Sequence, residues 1–156
     1  METITLERFK NIINVNPALP ITKSLNATDL SGICSSFGTC SNIDFRGSDI
    51  RGGCFHSFKF NKCDFSGADL RGRELRCSDY TECKFCGTYM MGMTIDDTTF
   101  NKCDFSGADL RGTCFKKCIF KKCKFHGASS NGTSFDDCTF DEPIIVDTVT
   151  PINIDD

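Results

Sequence analysis

Apolar residues recur at every fifth position of this chain over most of its length. Phe45, Ile50, Phe55, Phe60, Phe65, Leu70, Leu75, Tyr80, Phe85 and Met90 form one run, which continues through Ile95, Phe100, Phe105, Leu110, Phe115, Phe120 and Phe125. It lapses at Ser130 and resumes at Phe135 and Phe140. Two positions before most of these stands a small residue, such as Ser48, Cys63, Ala68, Thr88 or Cys118. A strict period of five matches neither the helical 3.6 nor the extended 2.0. A helix would spread these residues around its circumference, and a flat strand would send successive fifth residues to opposite faces. A five-residue unit with two inward positions has to bend once per unit, so the chain coils. Short fixed periods of this kind predict a solenoid.

The stretch FNKCDFSGADLRG, at 60–72, returns letter for letter at 100–112. Rows of twenty residues starting at 21 bring NATDLSG, RGSDIRG, SGADLRG, CGTYMMG, SGADLRG and HGASSNG one under another. Twenty residues, or four units, therefore make one coil, and rows become vertical columns. One column stacks Phe45, Phe65, Phe85, Phe105 and Phe125, with Ile43, Cys63, Cys83, Cys103 and Cys123 beside it; a second stacks Phe60, Tyr80, Phe100, Phe120 and Phe140. At the inter-strand spacing of about 4.8 Å, six coils give a rod of roughly 29 Å. Two glycine ladders, one from Gly47 to Gly127 and one from Gly32 to Gly132, mark turns that need φ > 0 or close backbone approach.

The units CDFSG, ADLRG, TDLSG and SDIRG resemble the Ala-Asp/Asn-Leu-x-x units of the pentapeptide-repeat family. The resemblance runs through 41–140 and more loosely through 21–40. It implies an all-β fold, a right-handed quadrilateral parallel β-helix of about six coils, with Phe or Leu at the inward centre of each unit. The expected organisation is an N-terminal cap over 1–20, the β-helix over 21–140 and an acidic C-terminal cap or tail over 141–156. Within the cap, Leu6, Phe9, Ile12 and Ile13 stand at helical spacing, which suits a short amphipathic helix lying over the first coil. Pro143 and Pro151 suit the other end, because proline stops edge pairing.

Some positions break the pattern. Arg73, Phe58 and Met93 are large for inward corner sites, and an inward arginine needs a partner to offset its desolvation. A bulge that turns Arg73 outward, and a loop over ICSSFGTC at 33–40, are the expectations there.

Charge and chemistry narrow the function. The N-terminus carries Glu2 and Glu7 where a signal peptide would be basic, and no segment is long and apolar enough to span a bilayer. A cytoplasmic, reducing location follows, and with it free thiols for the 12 cysteines. Cys83 and Cys86 have the spacing of half a zinc site, but no second pair accompanies them, so neither metal nor cofactor is expected. His56 and His126 fall on different faces, and no nucleophile–base set converges, which argues against an enzyme. Asp49, Asp69 and Asp109, each two residues before an arginine, read as an intercoil salt-bridge ladder.

What remains distinctive is FKKCIFKKCKF. In the coil, Lys116, Lys117, Lys121, Lys122 and Lys124 wrap three successive faces as a basic collar, a candidate docking surface for an acidic partner. The reading is a non-catalytic, rigid protein-binding scaffold, monomeric or paired end to end. The family resemblance implies two alternatives: a DNA-mimic binder of DNA gyrase of the quinolone-resistance type, and the targeting module of a bacterial effector delivered into host cells. Residues 41–140 carry 13 acidic and 15 basic side chains, which is not the continuous negative field a DNA mimic presents.

Overall fold

The computed structural model describes residues 1–13 and 23–142, so Pro143, Pro151 and most of the acidic tail lie outside the described residues. Within them the chain winds as an all-β, four-sided parallel solenoid in which residue n lies over residue n + 20. On the first face Cys34–Ser41, Cys54–Asn61, Glu74–Arg76, Thr94–Asp96, Cys114–Lys116 and Ser134–Asp136 stack in register. On the second, the far halves of the two long strands are followed by Asp79–Thr81, Thr99–Asn101, Ile119–Lys121 and Thr139–Phe140. Six rungs on each face make about five full turns from first to last. The third and fourth faces are joined mostly by single bridges, Asp44–Asp64–Lys84–Asp104–Lys124 and Asp29–Asp49–Asp69–Tyr89–Asp109–Ser129.

The two pairs of faces differ because their corners differ. Units on the third and fourth faces close into a tight turn, with the Ala68 N–H donating to the Phe65 carbonyl at 2.9 Å and the Thr113 N–H to that of Leu110 at 2.9 Å. The third residue of each such turn has positive φ and is nearly always glycine, as at Gly67 (φ 67°) and Gly72 (φ 68°). A Cβ at either would meet nothing within 4 Å, so the backbone conformation, not space, selects glycine there. The first two faces end instead on non-glycine residues in the left-handed region, such as Cys77 (φ 51°), Lys102 (φ 56°) and Lys117 (φ 50°).

Two aromatic ladders fill the interior. Ring centroids are 4.7, 5.1, 4.8 and 4.9 Å apart along Phe45, Phe65, Phe85, Phe105 and Phe125. Along Phe60, Tyr80, Phe100, Phe120 and Phe140 they are 4.7, 5.2, 5.1 and 5.0 Å apart. Within a ladder the rings are nearly parallel, and between ladders they meet edge to face, as Phe60 and Phe65 do at 73°. Both arrangements suit the ring quadrupole. Leu30, Ile50, Leu70, Met90 and Leu110 line the fourth face and are all buried.

The small residue two before each centre has a second role besides fitting the corner. Ser48, Thr88 and Thr113 donate their hydroxyls to the carbonyls of Leu25, Phe65 and Met90, each 23 residues earlier, at 2.6, 3.0 and 2.6 Å. The thiols of Cys63, Cys103, Cys118, Cys123 and Cys138 point to carbonyls at the same separation, at 3.3–3.5 Å. Cysteine is there as a small apolar residue with a weak donor.

Two expectations are corrected. Arg73 does not bulge outward: it is buried, its Nη1 donating to the Ile50 carbonyl at 2.7 Å and its Nη2 to that of Ile33 at 2.8 Å. The first of these is again 23 residues earlier, so the guanidinium takes over the corner hydroxyl's bond. Its Cζ also lies 3.7 Å from the centre of the Phe55 ring. Phe58 and Met93 are buried as well, and 33–40 does not loop out but enters the strand Cys34–Ser41. For Arg73 and Phe58 the room comes from glycine one rung below. A Cβ on Gly53 would sit 2.3 Å from the Ile33 carbonyl oxygen and 3.1 Å from Arg73 Nη1, and one on Gly38 would sit 2.4 Å from the Phe58 ring.

The N-terminal end is covered by the chain itself. Glu2–Thr3 pairs in parallel with Thr28–Asp29, and the helix Leu6–Ile13 lies over the first coil with Phe9 and Ile13 buried. Phe9 stacks on Phe55 at 5.7 Å; Ser35, which replaces an apolar centre one rung below Phe55, is small enough to leave that space. At the other end Phe135 and Phe140 are half-buried.

The glycine–large pairing is directly testable. Gly38→Ala should destabilise the fold by about 2 kcal/mol through overpacking against Phe58. In a Phe58→Thr background, which restores the small residue found at Ser78 and Thr98 in the same column, the same change should cost less than about half as much. Equal costs in the two backgrounds, measured by denaturant unfolding, would show that the two residues do not share this space.

Candidate functional site

With the interior occupied by packing, chemistry is left to the outward side chains, and each face carries its own. The tight turns of the third and fourth faces leave the N–H just after the central residue without a ladder partner. Aspartate just before the centre supplies one. The N–H groups of Ser31, Arg46, Arg51, Ser66, Arg71, Ser106 and Arg111 donate to Asp29, Asp44, Asp49, Asp64, Asp69, Asp104 and Asp109 at 3.0–3.3 Å. Where the second residue is arginine, its guanidinium closes back on the same carboxylate through two bonds, with Nη2–Oδ2 distances of 2.8, 2.5, 2.7 and 2.7 Å at Arg46, Arg51, Arg71 and Arg111. The expected intercoil ladder is therefore a set of pairs within turns. Between rungs of this column, among the described residues, only Arg51 and Asp69 come within 4.0 Å, at 3.8 Å. The reason is reach: the pleat holds the aspartate and arginine of one turn side by side, and the carboxylate is already oriented by the backbone N–H.

These bonds shape the titration. Hydrogen bonds from Arg46, Arg51 and Arg111 hold Asp44, Asp49 and Asp109 below the ordinary carboxylate range, and the Ser31 hydroxyl does so for Asp29. At Asp69 and Asp104 burial acts in the opposite direction and is outweighed by the bonds from Arg71 and Ser106.

The five collar lysines are all exposed and lie along one winding. Lys116 and Lys117 stand at the end of the first face, Lys121 and Lys122 at the end of the second, and Lys124 on the third. Among the described residues none of their ammonium groups is within 4.0 Å of a carboxylate, whereas Lys62 reaches Glu82 at 3.9 Å. The register nonetheless tempers their field. Lys116 is flanked by Asp96 below and Asp136 above, Lys124 lies over Asp104, and the Lys122 N–H donates to Asp141 Oδ1 at 2.8 Å.

The fold also brings out features the repeat pattern did not assign to a site. Tyr89 and Met91, 51% and 40% exposed, replace the aspartate and arginine of the fourth face at one rung. The departure is visible in CGTYMMG, but its exposure follows only once that face is known to point outward. Phe37, 77% exposed, lies 6.2 Å from His56. Above it an open groove of about 490 Å³ runs along the edge of the first face, lined by Cys54, His56, Glu74, Arg76, Cys77 and Lys117 among others.

Cys83 and Cys86 do not converge. Cys83 is buried with its thiol on the Thr81 carbonyl at 3.4 Å, and Cys86 is half-buried with its thiol 3.8 Å from that of Asp104. No cluster of three or more metal-ligating side chains occurs among the described residues. No helix among them is long and apolar enough to cross a membrane.

The family model described as pentapeptide repeats (8 copies) matches residues 95–127. The solved structure of a pentapeptide-repeat protein from the Arabidopsis thaliana thylakoid lumen shares the fold, with a TM-score of 0.59 and 20% identity over 70% of this chain and 77% of that one. This chain has the β-helix fold of the pentapeptide-repeat proteins. Other pentapeptide-repeat structures match less closely. Rfr23 from the cyanobacterium Cyanothece 51142 has a TM-score of 0.48 and 12% identity over 80% of this chain and 91% of its own. QnrB1, a plasmid-mediated fluoroquinolone resistance protein, has a TM-score of 0.44 and 16% identity over 76% of this chain and 80% of its own. No curated protein matches the repeat chain.

The capped turns predict an acid-sensitive repeat. Because Asp44, Asp49, Asp69 and Asp109 have folded pKa values below the unfolded value of about 3.9, their contribution is complete above that value and is lost as pH falls. Stability measured by urea unfolding should thus be level near neutrality and decline from about pH 5 downward. Asp49→Asn keeps an acceptor for the Arg51 N–H but not the charge, so it should lower stability at pH 7 and flatten that decline. A variant with an unchanged acid profile would remove Asp49 from the titrating set.

Proposed function

We propose that this pentapeptide-repeat protein is a non-catalytic rigid scaffold that binds another protein, and that the lysine collar is where an acidic segment of that protein docks. One observation carries the reading. The arginines of the third and fourth faces are engaged by aspartates of their own turns, while Lys116, Lys117, Lys121, Lys122 and Lys124 project from three consecutive faces of one winding without an ion pair among the described residues. Their anchors are corner and rung positions held by the inter-coil ladder, so the charges are spaced by the fold before any partner arrives. Pre-arranged charge of this kind speeds encounter and selects partners more than it adds affinity.

The in-turn pairing supports a protein ligand over the gyrase-type DNA mimic, because Arg46, Arg51, Arg71 and Arg111 neutralise the aspartate columns such a mimic would display.

Exposed charges are screened within about 8–10 Å at physiological ionic strength, so binding to the immobilised protein should weaken steeply with added salt. Replacing all five lysines by glutamine should abolish that binding and leave thermal stability nearly unchanged, since exposed charges contribute little to folding. A partner retained equally by the glutamine variant, at low and high salt alike, would place the docking surface on another face.

A further inference from the structure

Ten of the twelve cysteines have an ordinary explanation or no thiol neighbour suited to chemistry, and two do not. Cys34 and Cys54 are outward-facing residues on the first face and are paired in parallel register, Cα opposite Cα. Adjacent rungs are about 4.8 Å apart, inside the range of roughly 4.4–6.8 Å over which a disulfide spans two Cα atoms. Cys34 is exposed and Cys54 half-buried, whereas every other in-register thiol pair among the described residues (Cys63–Cys83, Cys83–Cys103, Cys103–Cys123 and Cys118–Cys138) includes at least one buried member. Those thiols also occupy the corner positions beside main-chain carbonyls. Cys34 and Cys54 have no such duty, and Thr94 and Ser134 fill the same column higher up without one.

We infer that Cys34 and Cys54 are a redox-responsive dithiol that closes to a disulfide between the first and second coils when a low-molecular-weight disulfide of the glutathione class reaches this face. Cys34, the exposed partner, attacks as its thiolate: its sulfur bonds to one sulfur of the small disulfide, whose other half leaves as a thiolate. Cys54 then loses its proton and attacks the Cys34 sulfur, forming the Cys34–Cys54 bond and expelling the second small thiolate. Two protein thiols are oxidised, one small disulfide is reduced to two thiols, and the two protons lost by the protein are taken up by those thiolates.

The surroundings support this order of roles. Contact with the Cys34 thiol, and burial after it, push the Cys54 thiol up, so the inner residue keeps its proton while the outer one reacts. The buried Arg73 guanidinium acts in the opposite direction on Cys54 and is available to stabilise its thiolate once resolution begins. The open groove beside the pair is lined by Cys54 and His56, with Arg76 and Lys117 balanced by Glu74, Asp96 and Asp97, so it admits a tripeptide-sized disulfide to the Cys54 side by space rather than by net positive charge. The staple would fix Cys34–Ser41, the strand on which the N-terminal helix rests, to the strand above it.

The test is treatment of the full chain with glutathione disulfide, followed by alkylation, digestion without reductant and mass spectrometry. The expected product is a Cys34–Cys54 cross-linked peptide that reductant reverses, with a rise in Tm of about 5–10 °C for the oxidised protein. Cys54→Ser should trap the intermediate, raising the glutathione adduct on Cys34 at least about tenfold over the native chain, because no resolving thiol remains. Cys34→Ser should leave Cys54 largely unmodified. Stable mixed disulfides on Cys34 in the native chain, or cross-links formed only among the corner thiols, would overturn the inference. So would a Cys34–Cys54 link that leaves Tm unmoved, which would be a modification without a staple.

Discussion

The in-register stacking of one coil on the next, twenty residues on, is the constraint from which the rest follows. Most of each rung's backbone groups are satisfied by the rungs above and below, so every side chain has a fixed vertical neighbour. The aromatic ladders at 4.7–5.2 Å are a consequence of that spacing rather than its cause. A solenoid of this kind is close to one-dimensional in its energetics, because each coil contacts only its neighbours. Arg73 is an exception in part, since its guanidinium reaches carbonyls in two preceding coils. Burial pushes its pKa down to about 10, which leaves it charged at neutral pH and held by carbonyl dipoles and the Phe55 ring.

The same stacking assigns chemistry to the faces. Turns on the third and fourth faces free an N–H that an aspartate then caps, and this gives the acidic residue of the repeat its physical reason. On the first and second faces that N–H belongs to a strand, and the position before the centre holds residues as varied as Cys54, Glu74, Lys59 and Ile119. The freedom to vary is therefore unequal. Faces with capped turns carry mostly self-paired charges, and faces with strands carry four of the five collar lysines, the groove and the Cys34–Cys54 pair.

Much of this was legible in the chain. The period of five, the coil of twenty and both aromatic columns follow from counting, because strict register makes residue n a neighbour of residue n + 20. The positions of Lys116, Lys117, Lys121, Lys122 and Lys124 on three faces follow from the same count. Their aspartate neighbours Asp96, Asp136 and Asp104 were equally present in the columns, but attention to one row hides what lies in the rows above and below. The Cys34–Cys54 pair was hidden for a different reason. Expecting 33–40 to loop out removed Cys34 from the lattice, and with it the only row that places a thiol beside Cys54.

The sequence by itself determined which residues turn inward and at what interval, since a repeat of one apolar and one small residue per five has a single way to bury both. It did not determine the fate of the exceptions. Whether Arg73 and Phe58 point in or out depends on volume left by residues twenty positions earlier, Gly53 and Gly38, and on carbonyls that coiling brings within reach. Whether Arg51 pairs with Asp49 or with Asp69 depends on side-chain geometry at a turn, where the nearer carboxylate is already oriented by a backbone N–H. Only the tertiary structure decided these, because each is a contest between a neighbour in the chain and a neighbour in the stack.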